Sequence, residues 1–268
     1  VYSHLARAAA ALLLGVCLQS ALRAQAVEPR ALRAPAGEAR TAAWRNAPMT
    51  TVNAVRSLPP LDYPFRAEAT PEGLRIVAPP ATPPGDYSVE ITGRDAAGRA
   101  VSAALQMTVD AVTLEPAVAA ARPPVILLNG FQLVCSDTAS TVAASSDTFG
   151  QLASLLQADG AAVLYFNNCA YGDISIEQLA AQLGIYIAGL RYTDGTPVGQ
   201  VDLVAHSMGG LIVRAYLAGK GQASGSFLPP ANPAVRKFVA IGTPHFGSFQ
   251  AGYIGVQESE MAPGNQFL

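Results

Sequence analysis

Charge is scarce in this chain. Charged residues make up 13% of its 268 positions, and the two signs nearly cancel at a net of −2. No basic face or stripe can be assembled to neutralise phosphates, so nucleic acid is excluded as the expected partner. Histidine and cysteine are also few, three of each, which confines any argument about a base or a disulfide to a handful of positions. The apolar run near the N-terminus, Ala8 to Leu18, is too short and too weakly flanked to span a bilayer comfortably. Apolar side chains, by contrast, are plentiful. Half of the residues are hydrophobic, enough for a sizeable core in one large domain or two modest ones. Twenty prolines and 24 glycines add many turns.

The first 26 residues have the layout of an export signal. Arg7 supplies a positive start, Ala8 to Leu18 the apolar run, and Ala24-Gln25-Ala26 a small-x-small cleavage site. Val16 is a poor fit to the small residue that a lipid-modified Cys17 would need before it. Removal after Ala26 takes Cys17 away and leaves Cys135 and Cys169, an even pair in an oxidising, secreted or periplasmic setting. Residues 27–47, rich in Ala, Arg, Pro and Glu without a sustained apolar period, read as a linker.

From 48 to 114 the pattern becomes that of a small antiparallel β module. Gly73 to Ala78 is a short strand. Tyr87, Val89 and Ile91 share one face of the next, and Val101, Ala103, Leu105, Met107 and Val109 share one face of the strand after it. Asp95-Ala96-Ala97-Gly98 joins these two as a hairpin loop. The Pro-Pro-Gly-Asp-Tyr-Ser-Val run at 83–89 resembles bacterial immunoglobulin-like modules. That resemblance implies a spacer, a brace or an adhesion role; a cap packed on the following domain fits the same residues. No catalytic grouping lies in it.

A second linker at 118–124 opens residues 118–268, where the texture changes again. Val125-Ile126-Leu127-Leu128 is a continuous apolar run, as in a strand buried on both faces. A helix follows with Phe149, Leu152, Leu155 and Leu156 on one face and Gly160 as its stop. Ala161 to Phe166 is the next strand. Ser175 with Gln178 makes a capping box for a helix whose stripe is Ile176, Leu179, Leu183, Ile187 and Leu190. Val201 to Ala205 and Val235 to Ile241 are further strands. Strands alternating with helices specify an α/β fold with a doubly wound parallel sheet, whose ligands bind beyond the carboxyl ends of the strands.

Within that order one stretch carries chemistry. Ala205-His206-Ser207-Met208-Gly209 stands between an apolar strand and an apolar helix, the setting in which a serine is held on a strained turn with its hydroxyl outward. The helix N-terminus beneath it favours developing negative charge. With this motif the chain resembles the α/β-hydrolase superfamily, in particular secreted bacterial lipases and esterases. A second hallmark, Gly242-Thr243-Pro244-His245-Phe246-Gly247-Ser248, sits after the adjacent strand. The resemblance implies Ser207 as nucleophile and the backbone N–H groups of Phe131 and Met208 as the oxyanion hole. Asn129, where the family usually has histidine, supports that loop together with Gly130. Gly209, His206 and His245 fall to supporting or rim positions. In the family's sheet order Cys135 and Cys169 follow neighbouring strands, which implies a disulfide pinning the oxyanion loop. No cofactor and no metal are called for.

The triad is where the sequence strains. The family's order is serine, then acid, then histidine. His245 is the only histidine after Ser207, and the carboxylates after it, Glu258 and Glu260, come in the wrong order. The expectation is therefore a hydrolase domain that stops short of its acid and base and is inactive by itself; the competing reading makes His245 the base. The expected function of the whole enzyme is hydrolysis of carboxylic esters, lipids above all, with transient contact at lipid surfaces. Acyl transfer to an alcohol, removal of acyl chains from glycolipid anchors, and an exported binding protein with a degenerate hydrolase domain are the alternatives.

Overall fold

The computed structural model describes residues 23–24, 27–46, 48–115, 122–132, 148–220, 227–251 and 255–264. The signal segment, the linker at 118–124, the loop carrying Cys135 and the last four residues fall wholly or largely outside these ranges. The N-terminal half is built from β1 (Arg23–Ala24), β2 (Val27–Glu28), β3 (Ala31–Pro35), β4 (Ala39–Trp44), β5 (Met49–Leu58), β6 (Arg66–Ala69), β7 (Gly73–Val77), β8 (Gly85–Asp95), β9 (Ala100–Asp110) and β10 (Thr113–Leu114). One sheet has the order β1-β9-β8-β5, with β3 also on β9; the other is β2-β4-β7-β6. Both contribute to one apolar core, through Leu74 and Ile76 from one sheet and Val89, Ile91 and Met107 from the other.

The β8–β9 hairpin follows the expected alternation. Tyr87 faces Met107, Val89 faces Leu105 and Ile91 faces Ala103, and all six are buried. Asp95 closes the loop: its carboxylate accepts from the N–H groups of Ala97 at 2.9 Å and Arg99 at 3.0 Å. The Arg99 side chain, bonded to the other oxygen, holds that carboxyl below the usual range. The stretch 27–47 is not a linker. It supplies β2, β3 and β4, with Val27, Leu32, Ala34 and Ala42 buried. Short strands with half of their inward residues alanine carry little period-two contrast, which is why their pattern does not stand out.

The remainder comprises β11 (Val125–Leu128), α1 (Leu152–Ala158), β12 (Val163–Phe166), a 3₁₀ turn (Asn168–Tyr171), α2 (Ile176–Gly189), β13 (Arg191–Tyr192), β14 (Val201–His206), α3 (Met208–Ala218), β15 (Val235–Ile241) and α4 (Val256–Glu260). β12, β11, β14 and β15 lie side by side in that order, all parallel. Ile126 and Leu128 of β11 share a core with Leu179 and Leu183 of α2 and Leu211 and Ile212 of α3. Val125 and Leu127, pointing the other way, meet Phe149, Leu152 and Leu156. Leu155, expected on that apolar face, is 63% exposed; Leu152 and Leu156, four apart, define the inward stripe and leave Leu155 to its side. The chain is thus mixed α/β, with parallel and antiparallel sheets.

Two features of this layout matter for the site. The chain steps from β11 outward to β12, then crosses back to β14 on the other flank of β11. The strand order therefore reverses between β11 and β14, and a crevice at such a reversal, beyond the carboxyl ends, is where open parallel sheets bind ligands. The β module, meanwhile, touches the parallel layer directly. Tyr63 stacks edge-on against Tyr171 with ring centroids 5.2 Å apart, the N–H of Ala81 donates to the Tyr171 hydroxyl at 2.9 Å, and β10 pairs with β13. Among the described residues no helix is long and apolar enough to cross a membrane.

Candidate active site

Ser207 stands at the end of β14 with φ 53° and ψ −126°, the one non-glycine residue among those described with positive φ. A β-carbon in this region is crowded, at a cost of order 1–3 kcal/mol, and such strain persists only where the surroundings impose it. Here they do. The Ser207 N–H donates to Ile241 O at 2.8 Å and its carbonyl accepts from Gly210 N–H at 3.0 Å. Ser207 occupies the N-cap of α3, yet its side chain makes no capping bond, so the hydroxyl is not committed to the helix end. Ala205 and Met208, on either side of the turn, are fully buried.

The glycines after the serine are required by close approach. A β-carbon at Gly209 would lie 2.5 Å from Asn129 O and 2.8 Å from Leu128 O, so only glycine lets α3 pass the end of β11. At Gly210 a β-carbon would collide with the side chain of Thr243. The second sequence hallmark is thereby locked onto the first: Thr243 fills the space that Gly210 leaves.

The loop after β11 reaches the same spot. A β-carbon at Gly130 would be 2.7 Å from Ser207 Cβ and 3.2 Å from its Oγ. Asn129 is buried, and Phe131 is half-buried against the core beneath α2 and α3. The Asn168 side chain, itself 3% exposed, donates to Gly130 O at 3.1 Å. Ser207, Met208, Gly209, Asn129, Gly130 and Phe131 thus converge at the β11–β14 reversal.

The two histidines lie around this centre. The ring of His206 extends toward Gly242 at the end of β15, where an added β-carbon would be 4.0 Å from its Nε2. His245 Nδ1 is 3.1 Å from a guanidinium nitrogen of Arg214, and the same nitrogen donates to the His245 carbonyl at 3.2 Å. Arginine can only donate, so Nδ1 accepts and the ring proton sits on Nε2. A triad histidine needs the reverse, a carboxylate accepting from Nδ1–H. Cys169, buried in the turn after β12, has its sulfur 3.1 Å from Gln132 Oε1.

Residues 191–256 match the lecithin:cholesterol acyltransferase family. The matched stretch runs from β13 to the first residue of α4 and contains both Ser207 and the Thr243-Pro244-His245 loop. No curated protein and no solved structure matches the chain. The match is to an α/β-hydrolase-like family of lipases and acyltransferases, which agrees with the motif resemblance at the level of the superfamily. Lipid acyl-transfer or esterase chemistry goes with that level of likeness.

Several residues at the site carry no signal in the sequence. Asn168 and Arg214 act through contacts that exist only once strands and helices are assembled. The same holds for a strap after the Thr-Pro-His loop. Ser248 N–H donates to Met261 O at 2.8 Å, Asp173 accepts from Val256 N–H at 3.0 Å, and Glu260 accepts from Ile176 N–H, the start of α2, at 2.7 Å. Burial pushes the Glu260 carboxyl up from 4.5 to about 7, and the neighbouring Glu177 adds to the rise; the Ile176 N–H and Lys220 oppose it.

Proposed function

We propose that this protein is an exported serine enzyme that transfers or hydrolyses the acyl groups of lipid esters. Ser207 Oγ attacks the ester carbonyl carbon while a histidine takes its proton. The N–H groups of Phe131 and Met208 hold the resulting oxyanion. Collapse expels the alcohol and leaves an acyl-serine, which water or a second alcohol then cleaves. The observation that carries this reading is the convergence of the strained Ser207 turn with Gly130, whose backbone lies against the serine side chain.

His245 is not the base in this reading, because Arg214 occupies the side of its ring where a carboxylate belongs. His206 is assigned to support of the elbow. Loss of nitrophenyl-ester hydrolysis in His245→Ala as complete as in Ser207→Ala contradicts this assignment of His245. The parallel sheet is taken as the core of a doubly wound hydrolase sheet and the β module as an immunoglobulin-like brace beside it. Export through a signal ending near Ala26 and a Cys135–Cys169 disulfide belong to the same proposal. Two alkylatable thiols in the native secreted protein, found by mass spectrometry, would remove the disulfide from it.

Lipid substrates are supported by the family match and by apolar side chains near the site. Phe246 and Phe249 are 92% and 97% exposed, in and just beyond the Thr-Pro-His loop. The name of the matched family favours a second reading, transfer to a sterol or other alcohol. Protein expressed from its complete reading frame, given phosphatidylcholine vesicles with a labelled acyl chain, tests both. Free fatty acid indicates hydrolysis, and labelled ester formed on an added alcohol indicates transfer. Release that survives Ser207→Ala, or no release under either condition, overturns the proposal.

A further inference from the structure

The oxyanion reading makes one peptide unit decisive. The N–H of Phe131 belongs to the same trans peptide as the carbonyl of Gly130, and in a trans peptide the two bonds point in opposite directions. Whatever fixes the Gly130 oxygen therefore fixes the direction of the Phe131 N–H. If that peptide flipped, its carbonyl would face the developing oxyanion, and repulsion would replace a hydrogen bond. Flipping is a local event, a change of ψ at residue 130 and φ at residue 131. Glycine at 130 lowers its cost, since it has no β-carbon to restrict ψ. Yet glycine is imposed there, because a β-carbon would collide with Ser207. The site thus needs its nucleophile packed against the one residue type least able to hold the peptide in place.

We infer that Asn168 is the positioning residue that locks the Gly130–Phe131 peptide, its side-chain amide holding the Gly130 carbonyl away from the reacting oxygen. The inference rests on the proposed acyl-transfer function and extends it by one residue. Three observations support it. Asn168 Nδ2 donates to Gly130 O at 3.1 Å, with the asparagine 3% exposed, so water does not compete effectively for that carbonyl. The register of the two strands puts the residues opposite each other: Leu128 of β11 pairs with Phe166 of β12, and Gly130 and Asn168 each lie two residues further on. Asn168 also starts a 3₁₀ turn whose four residues are all buried and whose end is tied by Gly172 N–H to Cys169 O at 3.1 Å, so the donor is on a rigid arm. Donation to the carbonyl also polarises the peptide and strengthens its N–H as a donor to the oxyanion. Asn168 touches no substrate in this scheme; it acts through residue 131.

The test uses the enzyme from its complete reading frame and pairs an ester with its thionoester. Sulfur accepts hydrogen bonds poorly, so a working oxyanion hole favours the oxygen ester strongly. Asn168→Asp keeps the shape and removes the donor. Loss of one oxyanion donor costs on the order of 10²–10³ in rate, so kcat on the ester is expected to fall by about 10²-fold with KM changed by less than about twofold. The ester-to-thionoester ratio should fall with kcat, a change that general loosening of the fold does not produce. Asn168→Ala, smaller and uncharged, carries the same expectation if the aspartate variant does not fold. An unchanged ratio in a folded, donor-less variant overturns the role of Asn168 and leaves the proposed function standing. An inert wild type, or an active Ser207→Ala, removes the proposed function, and this inference falls with it.

Discussion

At the scale of single residues the site is defined by what cannot be larger. Gly209, Gly210 and Gly130 each face a neighbour that a β-carbon would strike: the end of β11, Thr243 and Ser207 in turn. Gly209→Ala is the most direct probe, because the atoms it meets are backbone carbonyls that cannot rotate away. Overpacking of this kind costs about 1–3 kcal/mol. Urea unfolding should show a loss of that size, and nucleophile activity should drop because α3 must shift beneath Ser207. A variant as stable and as active as the wild type would show slack in the elbow, contrary to the close approach of Gly209 to the end of β11. The small-x-Ser-x-Gly spacing was readable in the sequence because this crowding is local. Arg214 against His245 was not readable: 31 positions separate the two, and only the packing of α3 beside the Thr-Pro-His loop brings them together.

At the scale of elements, helix ends do much of the positioning. α2 begins with the reciprocal capping box predicted from Ser175 and Gln178, with both bonds at 3.0 Å. The box was legible because its partners are three residues apart. Glu260, which caps the same helix from the C-terminal strap, was not, since its partner Ile176 is 84 positions away. Its chemistry gives a prediction with a definite sign. A carboxyl raised to about 7 in the folded protein binds its proton more tightly there than in the unfolded chain. The stability it contributes is complete below pH about 4.5 and is lost as pH rises through about 7. Between pH 5 and 8, thermal unfolding of the wild type should therefore shift downward, and Glu260→Gln should flatten that slope. Glu177 and Lys220, the other charged groups around it, stay in place in this variant. A slope of equal size in Glu260→Gln would assign the dependence to another group. The strands of residues 27–47 failed the sequence reading for the opposite reason. Their alanine-rich faces gain burial from the sheets they join, and little from any pattern of their own.

At the scale of the molecule, two cores meet through a few specific contacts, and the candidate site is set where the parallel strand order reverses. The β module was legible in its longest hairpin, because eleven-residue strands repeat the alternation enough times to be unmistakable. Its docking on the parallel layer through Tyr63, Ala81 and Tyr171 was not, since nothing in those residues marks a partner in advance. β15 pairs on one side only among the described residues, and its Val239 and Ile241 are 49% and 42% exposed. All of these parts are assigned one purpose, to aim Ser207 at an acyl carbonyl. Covalent labelling of protein from its complete reading frame with a fluorophosphonate, read by intact and peptide mass spectrometry, tests that assignment most directly. A single adduct on Ser207, absent in Ser207→Ala, is the predicted result. No adduct, or one that persists when Ser207 is replaced, would contradict it.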